Sequence, residues 1–284
     1  MPLFSAVTFN ASIADIRLFG RALYCPVPWP GERLRQLPRA LFDLDADLVC
    51  LQGVQGAGRQ AWLRRALHKN YPYVAGLASR LALRPGSTQL VLSRFPLSGA
   101  RVHRLASDGE RFASCGFLEV EVRVPAIGTF TVISFQASAG RSEGSDGQAA
   151  QCERERQIGE ILECAGTRNR VLLAGDLDAG PDASPACYRR ILDAGFVDVY
   201  GAAERPGVTW DPANPLVAAG RRAHLPPRRI DHIFLSTALA QRLGEARAGI
   251  VLAERRVDSP RGRVPLSDHY GVHAQFRARA ERGA

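Results

Sequence analysis

Residues 171–178 read VLLAGDLD. From Val171 to Ala174 every position is apolar, so a strand here has no solvent face and belongs inside a sheet. It runs out at Asp176 and Asp178, two carboxylates in close succession. Residues 47–54, DLVCLQGV, have the same two-faced apolar character, and 117–124, FLEVEVRV, alternate with period two, the mark of a half-exposed sheet face. Strands are expected at Phe4–Phe9, Asp47–Leu51, Thr88–Ser93, Gly116–Val124, Thr129–Ser134, Arg170–Ala174, Ile230–Leu235 and Val272–Phe276. Helical spacing marks Glu32–Leu44 (with Pro38 as an interruption), Gly56–His68 and Gln148–Ala165. Gly144–Gly147 reads as a polar loop, and Pro206–Pro227 as a proline-rich irregular stretch. No repeat or linker-like shift in composition divides the chain. The expectation is one α+β domain over residues 1–284, two packed sheets with helices outside.

The 284 residues, 46% hydrophobic and 23% charged, exclude disordered, collagenous and coiled-coil classes. Apolar runs are strand-sized, too short to span a bilayer. The opening MPLFSAVTFN alternates like a strand and lacks a basic segment before an apolar one, so a cytoplasmic location is expected. Net charge is +9, yet Lys69 is the only lysine, and arginine pairs such as Arg64-Arg65, Arg189-Arg190 and Arg228-Arg229 are scattered. Such pairs read as solvated surface before they read as a nucleic-acid face. The six cysteines show no metal-ligand spacing, and Cys50 in LVCL reads as core.

Polar residues that could carry chemistry stand at strand ends. Asn10 follows the first strand, Asp176 and Asp178 follow VLLAG, Asp231 lies in RRIDHIF, and Asp268-His269-Tyr270 in PLSDHYGV. Each alone suits a turn. Together, at one edge of packed sheets, they would converge. Ser267, Asp268 and His269 are contiguous and cannot form a serine-hydrolase triad. His232 faces away from Asp231, and His273 is expected to share a strand face with His269. Trp62 and Trp210 read first as core. The stretch Arg17–Gly31, apolar and aromatic without periodicity, should fold onto a core edge, a membrane surface or an apolar ligand.

These motifs resemble those of the endonuclease/exonuclease/phosphatase superfamily, in its bacterial branch similar to neutral sphingomyelinases. The correspondence runs through TFN (8–10), LVCLQGV (48–54), SRFPL (93–97), GDLD (175–178), RIDHIF (229–234) and SDHYGV (267–272). The resemblance implies a four-layer α/β/β/α sandwich of two mixed sheets and Mg²⁺-dependent phosphoester hydrolysis. It also implies a histidine at position 269 that handles protons, oriented by Asp231. The chain departs from the pattern where metal and phosphate are held. The metal-binding glutamate becomes Gly53, a phosphate-contacting histidine becomes Gln136, and the asparagine of GDxN becomes Asp178. A lysine of the relatives is matched by Cys115, before Gly116.

Three readings follow. In the first, which the sequence favours, the chain is a diverged enzyme with a His269–Asp231 acid/base dyad, helped by Asp176, Asp268, Asn10 or Tyr270. It would need no metal or other cofactor and would act on an apolar small molecule by proton abstraction, elimination, addition or cyclisation. Gly53, Gln136, Asp178, Cys115 and Trp210 would line its pocket, enlarged at Gly53. In the second, it remains a Mg²⁺- or Mn²⁺-dependent phosphodiesterase with rearranged ligands, Asp176, Asp178 and Asp268, acting on nucleic acid or at an anionic membrane. In the third, it is a catalytically dead relative that keeps His269 and Asp231 as a buried pair.

Overall fold

The computed structural model describes residues 3–19, 21–76, 88–105, 116–137, 148–202, 206–218, 220, 222–254, 256–260 and 262–277. Cys115 and the Gly144–Gly147 loop lie outside these residues. Val171–Asp176 is an interior strand, as its apolar run requires, of a six-stranded sheet. The order across that sheet is Phe196–Asp198, Asp231–Ser236, Val171–Asp176, Gly128–Gln136, Gly116–Val124, Leu97–Arg104. The second six-stranded sheet runs Glu245–Val251, Gly271–Arg277, Phe4–Ile13, Leu48–Val54, Leu90–Ser93, Tyr73–Ala75.

Each sheet contains a parallel pair among antiparallel neighbours: Phe4–Ile13 with Leu48–Val54, and Gly128–Gln136 with Val171–Asp176. A parallel pair needs a crossover, and helices Pro30–Leu44 and Gln148–Gly166 supply the two. Alternation along the strands then builds three apolar layers. Leu172 and Ala174 join Phe4, Cys50, Val120 and Ile233 between the sheets. Val171 and Leu173 face Ile158 and Ile161 of the second crossover helix. Val49 and Leu51 face Leu37 and Leu41 of the first, beside the partly buried Trp62. The result is the four-layer sandwich implied by the motifs. Gln52 ties the sheets together, its Nε2 donating to Ser134 Oγ (3.1 Å) and lying 3.2 Å from Thr8 Oγ1.

Several expectations need correction. Arg17–Gly31 meets the core at Val27 and Trp29, while Ile16–Leu18 and Arg21–Tyr24 pair as a hairpin beside which Phe19 is 96% exposed. His269 is not in a strand, because the last strand starts at Gly271, so His269 and His273 share no strand face. Pro206–Pro227 holds a one-turn helix, Pro215–Ala218, and its Trp210 bridges both Arg228 and His269. The edge strand Leu97–Arg104 and the helix Pro185–Asp193 are additions to the elements expected from periodicity. The former is mostly exposed and carries a register shift between Ser98 and Arg101, which erases alternation.

Candidate active site

The two parallel pairs bring their carboxyl ends to one edge of the sandwich, and the polar strand-end residues gather there. Asp176 lies between Gln136 on one neighbouring strand and Asp231 on the other. From the facing sheet, Asn10 reaches across: its Nδ2 donates to Asp176 Oδ2 (2.8 Å), while its Oδ1 accepts from the Ser12 N–H (3.0 Å). Asp178 N–H donates to Asp176 Oδ1 (3.0 Å). Both oxygens of Asp176 are thus oriented before any substrate arrives.

His269 stands over this edge. Its Nδ1 is 2.9 Å from Asp231 Oδ2, and its Nε2 is 3.9 Å from Asp176 Oδ2. The irregular segment that carries it is fastened at several points. Ser267 Oγ donates to the Asn10 carbonyl (2.6 Å) and accepts from the His269 N–H (3.2 Å). Tyr270 N–H donates to the Thr209 carbonyl (2.6 Å). Thr209 Oγ1 in turn accepts from the N–H groups of Ile230 and Asp231, both at 3.0 Å, which fixes the start of the Asp231 strand. Asp268 is half-buried beside these groups, 3.1 Å from Ser267 Oγ.

Electrostatics follow from crowding acids where water is excluded. Burial and the neighbouring carboxylates of Asp231 and Asp178 push Asp176 up to about 7, against the opposing pull of His269. Burial alone would lower His269. The carboxylates of Asp231, Asp176 and Asp268 overcome it and hold the imidazole up at about 10. The two aspartates on either side of His269 thus favour its imidazolium form.

Donor atoms of Asp176, Asp231 and His269 all lie within 4.8 Å of one another. Asp231 Oδ1 is buried and has no hydrogen-bond partner, an unusual state for a carboxylate oxygen. Asp178 is not turned toward this group. Its oxygens lie 3.4 Å from Arg154 Nη1 and 3.5 Å from Arg222 Nη1.

Gly53 opens no space. It sits at φ +70°, and a Cβ there would lie 2.5 Å from Asn10 Oδ1 and 2.8 Å from the Ser12 nitrogen. The asparagine side chain already occupies the corner from which a residue-53 carboxylate would reach. Gln136, half-buried at its strand end, accepts from Thr88 Oγ1 (3.4 Å). Trp210 is buried with Ala183, Val217, Leu225 and Ile230, so its ring belongs to a small core under the site.

Residues the motifs did not reveal are the supports. Arg33 is fully buried, and its guanidinium donates to the carbonyls of Ala11, Ser12, Val27, Pro28 and Leu266, strapping together the segments that follow Asn10 and precede His269. His232, facing away from Asp231 as expected, lies 2.9 Å from the Ala179 carbonyl and 3.2 Å from Asp198, which also pairs with Arg229. Arg33 sits in an ordinary amphipathic helix, and nothing in its local sequence distinguishes it from a surface arginine.

Comparison with known proteins agrees with the fold. The Endonuclease/Exonuclease/phosphatase family profile matches residues 23–269. Sphingomyelinase C from Streptomyces griseocarneus superposes with a TM-score of 0.74 at 23% identity, covering 96% of this chain and 99% of that one. A beta toxin variant from Staphylococcus aureus with bound magnesium ions gives 0.76 at 18% identity, with coverage of 96% and 99%. TDP2 from D. rerio complexed with single-strand DNA product gives 0.67 at 20% identity, with coverage of 97% and 99%. No curated protein matches the chain by sequence. At these identities the superpositions speak for the fold, and with a profile match over most of its length, the chain belongs to the endonuclease/exonuclease/phosphatase family.

Proposed function

We propose that the chain hydrolyses a phosphodiester, with His269 and Asp231 as the proton-handling pair and a hard divalent cation held by Asp176 and Asp231. The observation that carries this reading is the convergence of donor atoms from Asp176, Asp231 and His269 within 4.8 Å of one another, on an aspartate whose buried Oδ1 has no hydrogen-bond partner. Such an oxygen costs free energy unless something positive completes it. Oxygen donors from two carboxylates suit Mg²⁺ or Mn²⁺, which completes its shell with water and phosphate. The ligand set differs from one built on Asp176, Asp178 and Asp268, because arginines take Asp178. It also differs from a set using residue 53, whose corner Asn10 fills.

A cation so placed supplies charge neutralisation at the phosphate. The chain does the rest. His269, protonated and braced by Asp231, presents Nε2 to the reacting group. It gives its proton to the leaving oxygen as the P–O bond breaks, and regains one from the water that adds to phosphorus. Asn10 and the Asp178 N–H keep Asp176 in place throughout.

The structural neighbours support a phosphoester of lipid or nucleic acid as the substrate class. A metal-free acid/base enzyme on an apolar molecule draws less support, since the pocket expected at Gly53 is filled. The test is hydrolysis of bis(p-nitrophenyl) phosphate, sphingomyelin vesicles and single-stranded DNA in Mg²⁺ and in EDTA. Turnover of at least one in Mg²⁺, reduced about 10²–10⁴-fold in His269→Gln, is expected. No turnover of any of them in Mg²⁺ or Mn²⁺ contradicts the reading.

A further inference from the structure

Away from the working edge, the outer face of the Val171–Asp176 sheet carries a second gathering of ligand atoms. His103 on the edge strand Leu97–Arg104, Glu119 on Gly116–Val124 and Cys164 near the end of the crossover helix Gln148–Gly166 each offer one, all within 4.8 Å of one another. Strand register puts the first two there. Arg101 stands opposite Glu119 and His103 opposite Phe117, so all four side chains share the face that Ile158 and Ile161 of the helix cover. Glu119 is three residues along its strand from Gly116, the position that pairs with Gln136 at the working edge. None of the three belongs to the Asp176–Asp231–His269 cluster.

Two of the donors are held in place before any ion arrives. Arg168 donates to Glu119 Oε1 from Nε (3.1 Å) and Nη2 (2.7 Å). That leaves Oε2 beside His103 Nε2, 3.2 Å away. The His103 ring stacks on Phe117, with centroids 4.3 Å apart and planes 7° from parallel, which sets its angle. Burial alone would raise the Glu119 carboxyl, but Arg168 and His103 hold it below the ordinary range, so it stands as a carboxylate. Cys164 is half-buried, and burial with the neighbouring Glu119 pushes its thiol up. Arg101 Nη1 approaches Oε2 only to 3.9 Å, on a side chain 65% exposed and able to give way.

We propose that His103, Glu119 and Cys164 form a binding site for a borderline-soft divalent cation of the Zn²⁺ class, with water in the fourth position. Thiolate, imidazole and carboxylate are the ligands Zn²⁺ takes, at about 2.0–2.3 Å in a tetrahedron. Mg²⁺ prefers oxygen alone, so a site containing sulfur selects against it. The thiol gives its proton to solvent as the ion binds. The bound ion fastens the exposed edge strand to the crossover helix. Sequence spacing conceals such a site, because its three donors come from three separate elements. It stands independently of any hydrolysis at the Asp176 edge.

The experiment titrates Co²⁺, then Zn²⁺, into the reduced, EDTA-treated full chain. Co²⁺ bound to a thiolate absorbs in the near ultraviolet by sulfur-to-metal charge transfer, a signal that the sulfur-free Asp176 cluster cannot give. One equivalent is expected to bind with this band, to be displaced by Zn²⁺, and to raise the melting temperature. Cys164→Ser should abolish the band and His103→Gln weaken binding tenfold or more. Cys152→Ser, at an exposed cysteine of the same helix, should keep the band. No band in wild type overturns the site, as does a band that persists in Cys164→Ser or is lost in Cys152→Ser. If Cys164→Ser fails to fold, His103→Gln decides, and wild-type affinity there overturns the site.

Discussion

Asn10 Nδ2 donates to Asp176 Oδ2 at 2.8 Å, joining residues 166 positions apart on opposite sheets. The bond closes the working edge of the sandwich and places the Asn10 side chain over Gly53. Asp176, Asp231 and His269 converge on the side of the edge opposite that corner.

Gly53→Glu therefore should not rebuild a cation ligand. A side chain at φ +70° is strained, at a cost of about 1–3 kcal/mol, and it must also displace Asn10. Denaturant unfolding is expected to show the loss, and calorimetry no gain in Mg²⁺ affinity. Tighter Mg²⁺ binding at unchanged stability contradicts the packing described.

Asp231→Asn removes the charge behind His269 while keeping the shape. Turnover is expected to fall about 10²–10⁴-fold, with the fold intact by circular dichroism. The His269 ring signals should titrate at lower pH than in wild type by nuclear magnetic resonance, since Asp231 is the foremost of the carboxylates that hold the imidazole up.

The same elevation makes stability depend on pH. The folded pKa of His269 stands at about 10 against an ordinary 6.5. A group raised on folding stabilises fully below its unfolded pKa and loses that contribution as pH rises through the folded one. The stability difference between wild type and His269→Gln should be largest near pH 6 and shrink toward pH 10. Urea unfolding at the two pH values reads this directly, and a difference that grows with pH counts against it.

Arg33 is expected to matter more than its helix position suggests. In Arg33→Met five backbone carbonyls lose the guanidinium, and each buried acceptor left unmet costs about 1–3 kcal/mol where water cannot reach it. The variant should unfold at clearly lower denaturant, whereas Arg39→Met, on an exposed side chain of the same helix, should not.

Much of this is legible in the sequence, for physical reasons. Apolar runs such as VLLAG must be interior strands, and their ends must meet, so the sequence alone places Asp176, Asp231 and His269 together. The hairpin Ile16–Tyr24 is not legible, because an excursion into water carries no periodic apolar face. Nor is Arg33, whose partners are backbone carbonyls and so leave no trace in side-chain pattern. Arg154 and Arg222 meet Asp178 across 24 and 44 residues, a pairing that only the folded chain can make. The filling of the Gly53 corner depends on the side-chain direction of Asn10, which strand assignment alone leaves open.

The most direct test of the central claim is calorimetric titration of the EDTA-treated full chain with Mg²⁺ and Mn²⁺, at low salt and neutral pH, beside Asp176→Asn. Saturable binding in wild type that vanishes in Asp176→Asn is the expected result. No binding at millimolar metal, with hydrolysis persisting in EDTA, contradicts a cation held by Asp176 and Asp231.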